Sequence, residues 1–223
     1  MPLTRPKSLK ELALEHLRES IIDGTLEMGQ PISERGISAD LGVSKSPVRE
    51  ALAQLRDEGL VDIEPQKGAR VFSLSRDEVA QICDFRQAIE TAAFELALER
   101  SPEGLAVDMQ DTVDQMKAAQ KKGDTKAYLA LDTAFHQLIF KHADNVYLAA
   151  SYARYVGKIA ALRNHLSALP LHTELSFEEH EKLAVAVRKR DIAEIRELLS
   201  LHIGRNRESY SMATDQTKDS AAE

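Results

Sequence analysis

Apolar and polar positions along this 223-residue chain follow two rhythms. Over residues 8–23, Leu9, Leu12, Ala13, Leu17, Ile21 and Ile22 recur at helical spacing, and Gly24 ends the run. A turn region with Gly24, Gly29 and Pro31 follows, then a short helix over 33–41. The stretch "GVSKSPVREALAQLRDEGLV" predicts a third helix reaching to about Glu58, with Gly59 as its stop. The rhythm then changes. Leu60, Val61 and Ile63, then Val71 and Phe72, flank "EPQKGA" and predict a two-stranded hairpin with Gly68 at its tip.

From Ser75 the helical period returns. "SRDE" at 75–78 has the capping-box pattern, and helices are predicted over 76–100, 103–122, 125–143, 145–168, 174–189 and 191–210. Gly123 and Asp124 mark a stop and a new N-cap, Asn145 another N-cap, and Pro170 separates the fourth of these helices from the fifth. The change of rhythm places a boundary near residue 75. The expected organisation is a head over 1–74, an all-helical body over 75–212, and a disordered polar tail over 213–223. The fold class is mainly α.

Composition fits a folded protein, with 43% hydrophobic and 29% charged residues. No apolar run approaches the roughly 18–20 residues that span a bilayer, and the first residues lack a secretory apolar core, so no membrane partner is expected. A single cysteine, Cys83, excludes an internal disulfide and suits a reducing compartment. Together these predict a cytoplasmic protein. Charge alone points to no partner, since ten basic and twelve acidic residues through Leu74 give −2, and the remaining 19 and 24 give −5. Where the basic side chains point therefore decides the matter.

Stepping about 100° per residue from Val48 puts Ala51, Leu52 and Leu55 on its face, the expected core side. Lys45, Arg49, Ala53 and Arg56 line the adjoining face beside Ser46, with Ser44 as N-cap and Pro47 in the first turn. Such a helix fits the DNA major groove, where Lys45 and Arg49 would donate to guanine or phosphate and Ser44 and Ser46 to either. Arg35 joins from the preceding helix, and Lys67, Gly68 and Arg70 from the hairpin tip. The plainer alternative is a solvated basic face.

These elements together resemble the winged helix-turn-helix domain of the GntR family of bacterial transcription regulators, over "IIDGTLEMGQPISERGISADLGVSKSPVREALAQLRDEGLVDIEPQKGARV". The resemblance implies that Arg35, Ser44, Lys45, Ser46 and Arg49 contact double-stranded operator DNA and that Gly68 of the wing lies near the minor groove. Two positions depart from the family pattern. Lys45 replaces a usual arginine, turning a bidentate contact into a point charge. Gly36 replaces a better helix former, at up to about 1 kcal/mol.

In the helical half, "LDTAFHQLIF" sets Asp132 and His136 four apart on one helix face, while His180 and His202 sit on two others. Convergence of one carboxylate and three imidazoles would suit a first-row divalent ion, and unrelated scattered histidines would also produce the pattern. His16, His142, His165 and His172 are given no role. His142 reads as a surface residue compatible with a helix C-terminus.

The segments "DFRQAIETAAFELA", "DTAFHQLIFKHADNVYL" and "FEEHEKLAVAVRKRD" resemble the FadR C-terminal effector domain, the FCD class. That resemblance implies a divalent metal (zinc, nickel, manganese or iron) on Asp132, His136, His180 and His202, a small organic acid as effector, and a homodimer. Arg86, Arg163 and Asn164 are the expected effector contacts, guanidiniums being matched to carboxylates. The alternatives are a salt bridge from Arg86 to Glu90 and a solvated Arg163. The leading expectation is a ligand-responsive repressor, ahead of a DNA-binding regulator with a structural metal and of a metal-dependent enzyme, for which no convincing general base is evident.

Overall fold

The computed structural model describes residues 6–169 and 171–219, with side chains described through Tyr210. In chain order the elements are α1 (Leu9–Ile22), β1 (Pro31–Ile32), α2 (Glu34–Asp40), α3 (Lys45–Asp57), β2 (Val61–Glu64), β3 (Gly68–Val71), α4 (Arg76–Arg100), α5 (Pro102–Lys121), α6 (Thr125–Ala143), α7 (Val146–Ala153), α8 (Val156–Leu166), α9 (His172–Lys189) and α10 (Ile192–Asp219). Two compact units result. One holds residues through Ser73 with Gly157–Ala161, the other Leu74–Val156 and everything from Leu162 onward.

In the first unit Ser8 starts α1 with a capping box: its hydroxyl accepts from the Glu11 amide while Glu11 accepts from the Ser8 amide at 2.6 Å. α1 packs on α3. Ala13, Leu14, Leu17 and Ile21 supply one side of that core, and Val48, Ala51, Leu52 and Leu55 the other. Each fully buried leucine contributes about 2 kcal/mol. The face assigned by helical angle is the buried one. The expected two-stranded hairpin is instead part of a three-stranded antiparallel sheet in the order β1-β3-β2, with Pro31 opposite Arg70 and Val61 opposite Val71. β1 is two residues long, too short to show a period of two. Proline is tolerated there because the strand lies at an edge.

In the second unit, Ser75 caps α4 as its pattern predicts, accepting from the Glu78 amide at 3.2 Å. α6 packs on α4 and α5, α9 on α5 and α10, and α10 back on α4, so five helices close a ring. The helix expected over 145–168 is two, α7 and α8, and no glycine or proline marks the break. The last helix passes residue 210 and runs to Asp219, through sequence without a breaker. Residues 220–223 of the expected tail lie outside the described ones.

His142 is not a free surface residue. Its Nδ1 lies 2.9 Å from the Ser101 hydroxyl and its Nε2 2.8 Å from Asp108, joining the start of α5 to the end of α6. Gly104 makes room, since a Cβ there would lie 2.6 Å from Ser101 Oγ. Among the described residues no helix is long and apolar enough to cross a membrane.

Candidate metal centre and nucleic-acid interface

The buried stripe of α6 runs Tyr128, Asp132, His136, Phe140, one residue per turn. Two polar residues thus occupy core positions and point into the helical ring. His180 on α9 and His202 on α10 meet them, and His136, His180 and His202 place one nitrogen each within 4.8 Å of one another. All three histidines and Asp132 are buried. The Nε2 atoms of His136 and His180 are 3.3 Å apart. Asp132 Oδ1 lies 3.9 Å from His136 Nε2, and Oδ2 3.9 Å from His180 Nε2. The structure therefore brings together all four residues that the sequence singled out.

Two glutamates orient this set. Glu90 on α4 lies 2.7 Å from His136 Nδ1, and Glu179 on α9 lies 2.7 Å from His202 Nδ1. A carboxylate at that distance accepts, so each Nδ1 carries the proton and each Nε2 keeps a lone pair facing inward. Each glutamate is itself held by an arginine, Arg86 Nε on Glu90 at 2.7 Å and Arg205 Nη2 on Glu179 at 2.7 Å.

The group fits a divalent ion on three counts. His202 Nε2 is buried without a hydrogen-bond partner among the described residues, and Asp132 Oδ1 has only an unaligned Arg163 Nε beside it, which is costly for polar atoms unless something else takes them. Nitrogens bound to one tetrahedral zinc at about 2.0–2.1 Å stand about 3.3–3.4 Å apart, which the His136–His180 spacing matches. The imidazoles are also held neutral, as ligands must be. Burial lowers His136 well below its ordinary value, with Arg163 and Arg86 adding to it. Burial pushes His180 down to about 3. It lowers His202 too, against the opposing pull of Glu179. Burial would raise Asp132, but Arg163 overrides it and keeps the carboxylate ionised.

The expected effector contacts separate. Arg163 on α8 is buried, not solvated, with Nε 2.8 Å from Asp132 Oδ1 at ion-pair distance but without hydrogen-bond alignment. It lines a cavity with Asp132, His172, Ser176, His202 and Asn206, whose free space of about 10 Å³ holds one water-sized group. Arg86 makes the Glu90 salt bridge that the sequence offered as its alternative, and its Nη2 stays unpartnered among the described residues. Asn164 is half-buried, outside that lining, and its carbonyl accepts from Ser167.

Glu90, Glu179, Arg205 and Asn206 are what sequence reasoning missed. Asn206, one turn after His202, had a helical-spacing signal. Burial around Glu179 would raise its carboxyl, but hydrogen bonds from Arg205 and His202 hold it down at about 2. His172, passed over in the sequence, is buried and pushed down to about 4, by burial first and then by Arg205.

In the first unit Arg35, Ser44, Lys45, Ser46 and Arg49 are all exposed on α2 and α3. Ser44 occupies the N-cap position, yet its hydroxyl makes no capping bond. Arg49 Nε donates to Glu34 at 2.7 Å and Ser46 to Glu50 at 3.2 Å. On the wing, Lys67 pairs with Glu64 at 2.7 Å, Arg70 turns back to the Gly29 carbonyl, and Gly68 has φ +88° with open space where a Cβ would sit. A positive φ of this size is why glycine stands there.

The comparisons agree with this division. Residues 9–71 match the family model for bacterial regulatory proteins of the gntR family, and residues 81–205 match the FCD domain model. The gluconate operon transcriptional repressor of Bacillus subtilis is 36% identical over 132 residues, 59% of this chain and 54% of its own, so the match spans about half of that relative. The HTH-type transcriptional repressor RspR of Escherichia coli is 27% identical over 91% of this chain and 89% of its own. Among solved structures, E. coli McbR/YncC superposes with a TM-score of 0.79 at 21% identity, covering 93% of this chain and all of the other, which supports the fold. The chain belongs to the GntR family of bacterial regulatory proteins, with an FCD domain as its helical body: a DNA-binding transcription regulator and not an enzyme.

Proposed function

We propose that this regulator is a repressor whose helical body holds a divalent metal on Asp132, His136, His180 and His202 and binds a small organic acid there. The observation that carries the reading is the buried, inward-facing lone pair of His202 beside the buried Asp132 carboxylate, whose Oδ1 has an ion-pair neighbour but no aligned hydrogen bond among the described residues. When bound, the ion supplies a Lewis acid for carboxylate oxygens. Arg163 lines the cavity and supplies donors matched to a carboxylate. Because the free space holds little more than a water, Arg163 must swing away from Asp132 to admit the acid. Glu90 and Glu179 keep the imidazoles aimed.

In the head, α3 enters the major groove with Lys45, Ser46 and Arg49, Ser44 and Arg35 bind alongside, and Lys67 and Gly68 of the wing approach the adjacent backbone or minor groove. Two copies would read the two halves of a symmetric operator, as a homodimer. The acid changes operator affinity by binding two arrangements of the protein unequally.

Titration of promoter fragments from the surrounding genes, at stated salt, tests the head. Arg49→Ala is expected to weaken operator binding by about 1–3 kcal/mol if the side chain reads a base edge. Unchanged affinity would remove α3 from the groove. A structural-metal reading has one observation in its favour, the tight free space around the ligands. Chelation would then lower the melting temperature while operator affinity ignored every acid.

A further inference from the structure

Six charged side chains gather on and behind the metal set. Arg86, Glu90, Asp132 and Arg163 are buried, and Glu179 and Arg205 are mostly so. Three are cationic and three anionic, so with neutral imidazoles the cluster sums to zero. Every acid in it already has a cation: Glu90 has Arg86, Asp132 has Arg163, and Glu179 has Arg205. A divalent ion therefore brings a surplus of two positive charges into a place largely closed to water. Charge buried without a counter-charge is costly.

A second observation points the same way. Arg86 Nη2, Arg163 Nη1 and Nη2, and the Tyr152 hydroxyl are all buried without a hydrogen-bond partner among the described residues, and Arg163 Nε, 2.8 Å from Asp132 Oδ1, is not aligned to donate to it. All but the hydroxyl can only donate. His180 Nδ1 is likewise unpartnered, and it becomes a donor once Nε2 takes a metal. The surroundings thus lack acceptors and, with metal present, lack negative charge. One ligand type supplies both, an anion rich in oxygen that carries two charges.

We propose that the effector is a small dicarboxylic acid bound as its dianion, and that its preference over singly charged acids exists only when the metal is present. This rests on the metal-and-acid reading above and narrows it. A monocarboxylate would leave one charge uncompensated and most of the arginine donors unmet. Linkage makes the effect reciprocal, so the diacid also tightens metal binding by the same factor.

The test is calorimetric titration of the full chain, metal-stripped or loaded with one equivalent of zinc, with malonate, succinate, glutarate and adipate, each beside its half-amide. The half-amide keeps the length and loses one charge. Elemental analysis accompanies every sample. On loaded protein at least one diacid is expected to bind tenfold or more tightly than its half-amide, and the ratio is expected to fall below threefold without metal. Arg163→Gln lowers the surplus to one charge, so its diacid to half-amide ratio is expected to fall at least tenfold at unchanged metal content. Half-amides binding within threefold of the diacids on loaded protein would overturn the proposal, as would a ratio that persists in stripped protein. Inorganic phosphate is expected to bind more weakly than the best diacid, and the reverse order would overturn the dicarboxylate assignment. A chain that takes up no zinc fails the metal reading itself, which the elemental analysis shows separately.

Discussion

The two units treat charge in opposite ways. On the head the Arg49 side chain is 64% exposed and that of Lys67 79%, each resting on an exposed acid of its own unit. In the body the Arg86 and Arg163 side chains are 3% and 5% exposed, each against a buried carboxylate. Exposed pairs contribute little and are screened by salt, so Arg49 leaves Glu34 readily for a phosphate or a base. Breaking a buried pair by removing one partner costs about 3–5 kcal/mol, so an inner pair such as Arg163–Asp132 opens only when a ligand anion takes the place of the lost carboxylate. The lesson is that lightly held cations suit a surface that must exchange partners with DNA. Firmly held ones suit a cavity that must aim ligands.

The largest effect expected on that contrast is from His202→Ala. Removing a direct ligand is expected to weaken zinc binding by more than the about 100-fold ascribed to outer partners, with operator binding by the metal-free protein unchanged. Competition with a chromophoric chelator measures the first and fluorescence anisotropy the second. Loss of operator binding without metal would join what the contrast separates. Glu179→Gln keeps an acceptor for His202 Nδ1 but removes its charge, and is expected to weaken zinc binding by about 10-fold. An unchanged affinity would make Glu179 a fold residue only.

Acid sharpens the contrast further. An unfolded histidine protonates near 6.5, while folded His180 holds off protonation until about 3, and His136 and His202 are lowered with it. Between those values the unfolded chain binds protons that the folded one refuses. The stability of metal-free protein is thus full above about pH 6.5 and falls on acidification, by up to about 1.4 kcal/mol per pH unit for each such histidine. Urea titrations at pH 6.5, 5.8 and 5.0 measure the slope, and a flat profile would mean the imidazoles are not held neutral. The smallest effect belongs to the head. An added Cβ at Gly36 would meet only Ser33 atoms at 3.5 Å, and Gly36→Ala is expected to stabilise α2 by about 0.5–1 kcal/mol in a thermal melt.

How much of this was legible follows the same division. The head's basic face could be read because exposure on a single helix depends only on angle, and Val48, Ala51, Leu52 and Leu55 fixed the angle. The two-residue strand β1 could not, since pairing with β3 is a tertiary fact. In the body, Asp132 and His136 share one face by spacing alone. That His180 and His202 reach them followed from the family resemblance, and the geometry brings all four residues together. Glu90 and Glu179 stayed hidden because a helix shows its own faces but not its neighbours. Glu90 was visible only as a partner for Arg86 one turn away, and nothing in the spacing of Glu179 marks it as a partner for His202. Asn164 lies outside the cavity lining for the same reason, since its spacing from Arg163 does not say which of the two neighbours faces the cavity.

The most direct test of the account is operator affinity of the zinc-loaded protein with and without a saturating dicarboxylate, at fixed salt. The account predicts a shift of about tenfold or more, about 1.4 kcal/mol of coupling, that vanishes in His202→Ala. Acid bound at the zinc, shown by calorimetry, with operator affinity unmoved would contradict it.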